Sequence, residues 1–119
     1  MNEKEEMVKR LNFENLIWII FIVISILDIY GDELIKKEIL YNDKISGNKA
    51  NKLFLGITSF SILIYIYFLI RNYSDCKKYN YKTHYEVRLL GSIFVLVGTL
   101  CFLYFQIKNT EPNDSLSNV

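Results

Sequence analysis

Few side chains in these 119 residues are placed to do chemistry. Asp28 is the ionisable group that the first apolar stretch would carry into a membrane. Intramembrane carboxylates usually hold an ion or relay a proton, because burying one without a role is costly. Two features oppose that role here. Asp28 stands three residues before Gly31, where the stretch ends, and Asp32 and Glu33 follow, so the acidic group reads as a water-wetted boundary. A cation path also needs a second ionisable partner at membrane depth. The other two apolar stretches offer only Thr58, Ser59, Ser61, Ser92, Thr99 and Gln106.

Those hydroxyls have no neighbouring base, so none is a nucleophile. Cys76 and Cys101 lie far apart in sequence and read as two free thiols, with Cys101 a small apolar packing residue of the third stretch. Two distant cysteines and the single His84 fall short of a metal-ligand set. His84, in an exposed loop, reads as inert. No glycine loop of phosphate-cradling pattern is present, and no cofactor is expected. The chain reads as not being an enzyme.

The elements that would position these residues are apolar segments. Leu53–Ile70 is 18 residues without a charge and Leu89–Ile107 is 19. At about 1.5 Å per helical residue, either run covers roughly 27 Å, close to the ~30 Å hydrocarbon core. A third segment begins near Leu16. It follows a charged N-terminal stretch, as in a signal peptide, but Asp28-Ile29-Tyr30-Gly31-Asp32 holds no small-x-small cleavage signal. It reads as a retained span.

Insertion energetics agree. Leu, Ile, Phe and Val contribute about −0.3 to −0.6 kcal/mol each at a span centre. The second and third runs hold twelve such residues apiece, and Leu16–Ile29 holds eleven. That outweighs the roughly +3 kcal/mol of a central Asp. Apolar residues occupy every face of the later runs, which excludes surface-lying amphipathic helices. The ~10-residue alternation of a β-barrel is missing. The expected fold is an all-α, three-span transmembrane helical bundle: one integral membrane domain over 1–119, with spans near 13–31, 53–70 and 89–107 and a polar tail 108–119.

The connections carry charge and aromatics. Asp32–Tyr41 has good helix formers and either prolongs the first helix or forms an interfacial one, while Asn42–Asn48 is turn-like. Arg71–Arg88 interleaves bases and tyrosines. Within it Lys77, Lys78 and Lys82 are candidates for lipid headgroups, at about 1 kcal/mol per cation near the surface. With the N-terminus inside, Lys4, Lys9, Arg10, Arg71, Lys77, Lys78, Lys82 and Arg88 make eight inner cations. Lys36, Lys37, Lys44, Lys49, Lys52 and Lys108 make six outer ones. The bias, though thin, places the N-terminus in the cytoplasm.

Helices in lipid associate where small residues let backbones approach. Gly91 and Gly98, seven apart, share one face of the third span, and Gly56 and Ser59 cluster in the second. These are the expected helix contacts, chiefly within the chain. Tyr67–Asn72 and Tyr104–Asn109 echo one another faintly, as an antiparallel repeat would.

Fourteen Lys+Arg against thirteen Asp+Glu leave no basic field for nucleic acid. Seventeen isoleucines, with many Asn, Lys and Tyr, point to an AT-rich bacterial genome. The reading is a multi-pass plasma-membrane protein that touches the lipid bilayer. Its activity is not written in the sequence. An accessory or interaction protein, assembling with itself or a larger membrane partner, is expected. The alternative is a homo-oligomeric pore or small transporter subunit. The discriminating feature is whether Asp28, Ser59, Thr99 and Gln106 line one cavity.

Overall fold

The computed structural model describes residues 2–110. The chain forms three helices, α1 (Glu3–Tyr41), α2 (Lys44–Lys78) and α3 (Thr83–Thr110), with no strand among the described residues. The expected three-span transmembrane helical bundle is what the chain forms: all three helices are long and apolar enough to cross a membrane.

Local sequence sets the helix ends. The Asn2 side chain accepts from the Glu5 backbone N–H at 2.8 Å, and Glu3, Glu5 and Glu6 lie in the first turn, where the helix dipole favours anions. The α1–α2 connection is two residues. Asn42 takes the left-handed conformation (φ 55°), and Asp43 caps α2 by accepting from the Ser46 N–H at 3.2 Å and its hydroxyl at 2.8 Å. At the other end Asn80 (φ 58°) closes α2: its N–H donates to the Lys77 carbonyl while the Tyr81 N–H donates to that of Cys76 at 2.8 Å.

The loops are therefore shorter than their composition implies. Ile45–Asn48 is helical, so the turn narrows to Asn42–Asp43. Of Arg71–Arg88, only Tyr79–Lys82 is not helix. Lys108, Asn109 and Thr110 continue α3, and the remainder of the expected polar tail lies outside the described residues.

The helices overshoot a bilayer. The molecule is 58 Å long, against a hydrocarbon core of ~30 Å. They run up, down and up, with α2 in the middle; the backbones of α1 and α3 do not come within 8 Å of each other. Small residues line the α1–α2 seam. Ala50 is fully buried, Gly47 lies under the Glu38 side chain, and Gly31 meets the Phe54 ring so closely that a Cβ there would sit 2.6 Å from it. Large apolar side chains point outward: Ile22 is 62% exposed, Phe94 66% and Phe102 66%. In water such a surface would drive association, whereas in lipid it is the solvated face.

Candidate functional site

Two polar constellations lie inside the bundle, one toward each end. The first contains Asp28. It is half-buried and lines a cavity of about 410 Å³ with Ser25 from α1, Thr58 and Ser61 from α2, and Thr99 and Gln106 from α3. No cation pairs with Asp28 among the described residues, and the Gln106 amide oxygen is buried without a partner. Two hydroxyls are anchored to their own helix. Ser25 Oγ donates to the Phe21 carbonyl at 2.9 Å and Thr99 Oγ1 to that of Val95 at 2.7 Å. Of the four residues expected to share a cavity in a pore, Asp28, Thr99 and Gln106 come together. Ser59 does not; it is exposed, and Ser61 takes its place.

The second constellation is an ionic cluster that composition does not reveal. Glu14 is 5% exposed and Asp75 is 7% exposed, each at the edge of a span. Asp75 sits on α2 between its neighbours. Arg10 of α1 donates to one of its oxygens at 3.0 Å, and Arg88 of α3 donates to the other at 2.7 Å. Glu14 accepts from the Tyr67 hydroxyl at 3.2 Å. It also lies 3.2 Å from Arg71 Nε, an ion-pair distance without hydrogen-bond alignment. Arg10 reaches back to Glu14 at 3.9 Å. Beside them, Asn72 of α2 donates to Ser92 of α3. One carboxylate on the middle helix thus ties together all three.

Asp28 is therefore not the only carboxylate that the first span brings inward. Glu14, the second residue of 13–31, is buried more deeply. The sequence does carry a signal for it: Glu14 stands one helical turn after Arg10, and Asp75 one turn after Arg71. By position alone, those arginines read only as loop cations.

The glycines expected at helix contacts have room around them within the chain. A Cβ built on Gly56, Gly91 or Gly98 meets nothing within 4 Å, so the close approaches fall at Gly31 and Gly47 instead. The thiols also exchange roles: Cys76 is fully buried and Cys101 is exposed, both free. Lys77, Lys78 and Lys82 are exposed beyond the cluster, and Lys78 is paired with Glu3 at 2.8 Å. The echoing Asn72 and Asn109 both bond between α2 and α3, at opposite ends, Asn109 donating to Asn51 at 3.0 Å. No set of three or more His, Cys, Asp or Glu is grouped to hold a metal among the described residues. The chain matches no family model, no curated protein and no solved structure.

Proposed function

We propose that this chain is a non-enzymatic accessory or interaction protein of a bacterial plasma membrane, assembling with itself or with a larger membrane partner. The observation that carries this reading is that the polar cavity at Asp28 does not continue through the bundle. The Asp28 cavity is polar as far as Ser61 and Thr99, near mid-span, and then meets the stacked rings of Phe21 and Tyr65, 5.9 Å apart. Beyond those rings the space between helices is lined by Trp18, Phe68 and Val95. A single copy therefore offers no polar route from one face to the other, while Gly56 and Gly98 leave outward faces that another helix can approach closely. The weak excess of Lys and Arg supports an N-terminus and a Tyr79–Lys82 turn on the cytoplasmic side.

A second reading, a homo-oligomeric pore or small transporter subunit, is favoured by the convergence of Asp28, Ser25, Thr58, Ser61, Thr99 and Gln106 around one cavity. Proteoliposomes separate the two. Proton or cation flux is expected from neither the wild type nor Asp28→Asn. Flux in the wild type that vanishes in Asp28→Asn would overturn the accessory reading. Native mass spectrometry after mild extraction should show the 14.1 kDa chain in larger assemblies; a monomer alone would also count against it.

A further inference from the structure

On the ionic-cluster side, α1 and α3 stand apart and leave a lateral groove of about 520 Å³. Tyr65 and Phe68 of α2 form its floor, Trp18 and Phe21 one wall, and Gly91 and Val95 the other. Its end is different in kind: Arg71, Arg88 and Ser92 close it.

We propose that this groove holds one acyl chain of an anionic glycerophospholipid whose phosphodiester sits on Arg71 and Arg88. Three observations meet there. Depth is the first. Arg71 directly follows Ile70, the last residue of one apolar run, and Arg88 directly precedes Leu89, the first of another. Both guanidiniums therefore stand where hydrocarbon gives way to headgroup. Charge is the second. Arg10, Arg71 and Arg88 surround only Glu14 and Asp75, so one positive charge is left over, and Arg88, its side chain 40% exposed, spends one nitrogen on Asp75. Arginine's planar fork matches phosphate oxygens, and basic pockets between spans select anionic headgroups.

Shape is the third. Gly91 contributes no side chain, and a Cβ there would meet nothing, so the groove stays open beside Arg88. A volume of this size suits an apolar ligand with a few polar anchors. A zwitterionic lipid brings its own cation to the phosphate, and an apolar helix would leave the surplus charge unanswered. Lys77, Lys78 and Lys82 lie farther out and are not part of this site.

The test is native mass spectrometry of the protein released from vesicles mixing phosphatidylglycerol with phosphatidylcholine. The wild type should retain phosphatidylglycerol with roughly thirtyfold preference, from two arginines at a surface. Gly91→Leu, which fills the groove and leaves the ion pairs intact, should lose the retained lipid while keeping its melting midpoint in lipid-free detergent. Val95→Phe, one turn on, is the second groove-filling variant should the first misfold. Arg88→Gln should abolish the preference for the anionic lipid. Equal retention of the two lipids, or retention unchanged in both groove-filling variants, overturns the proposal. Inorganic phosphate binding without lipid, unaffected by Gly91→Leu, would make this a free-anion site and overturn it too. A dimer that Gly91→Leu dissociates would put a second copy in the groove and equally overturn the lipid site.

Discussion

Asp75 is the side chain whose charge the fold can least do without. Arg10 and Arg88 converge on it from opposite helices. Removing one partner of a fully buried pair costs about 3–5 kcal/mol, but the Arg10 and Arg88 side chains, 34% and 40% exposed, are partly answered by water. Asp75→Asn should therefore lower unfolding stability by about 1.5–3 kcal/mol in bicelles, the worth of a hydrogen bond to a charged group. Glu14→Gln should cost less, since the amide still accepts from the Tyr67 hydroxyl and Asp75 still answers Arg10. Equal losses would mean that the two carboxylates act as one unit. Neither role is legible from composition. A charge beside an apolar run looks solvated until its partner is known, and two of the partners here, Tyr67 for Glu14 and Arg10 for Asp75, lie 53 and 65 residues away. Asp28 is legible because its surroundings within the span are local. Of the residues that a pore would bring to one cavity, Thr99 and Gln106 join Asp28 and Ser59 does not, while Ser25, Thr58 and Ser61 complete the polar lining.

At the scale of elements, the apolar runs locate all three spans, because transfer from water depends on each residue nearly independently of fold. Helix ends are less legible. Asn42–Asn48 has turn composition throughout, yet capping by Asp43 recruits Ile45–Asn48 into α2. That cap carries a pH signature. The Ser46 hydroxyl, then the Ser46 N–H, hold the Asp43 carboxyl below its ordinary 3.8. On acidification the unfolded chain takes up the proton first. The contribution of Asp43 is thus complete above that ordinary value and is lost as pH falls through the lower folded one. Asp43→Asn keeps a capping oxygen without the titration, so its melting midpoint should fall less than that of the wild type on going from neutral pH to about pH 3. Parallel curves would show that the cap is not felt.

For the whole molecule, orientation is open to a direct measurement. Cys76 is fully buried and is shielded on either side of the membrane, so it cannot report. Lys82→Cys places a thiol on the exposed turn instead. An impermeant maleimide should leave it unlabelled in intact cells and label it after permeabilisation. Rapid labelling of intact cells would reverse the orientation, and half-labelling would indicate both. Assembly is tested at Gly98. Because a Cβ there meets nothing inside the chain, Gly98→Leu should leave the melting midpoint of the isolated chain unchanged. The same variant should reduce the mass of the native assembly. A falling midpoint with unchanged mass would place the contact inside the bundle after all.

The cluster that joins the three helices also imposes an order in time. Arg10 leaves the ribosome 65 residues before Asp75. At roughly 5–20 residues per second, that interval is about 3–13 s. For most of those seconds, until Tyr67 emerges 53 residues after Glu14, α1 must rest at the membrane edge with Glu14 answered only by Arg10, one turn earlier on the same helix. A pair that is long in the finished protein, at 3.9 Å, is then the only one available. Arg10→Gln should accordingly reduce the yield of inserted protein by more than the lowered unfolding midpoint of the surviving molecules would account for. A nascent helix abandoned with a bare carboxylate is lost before its partners have been made.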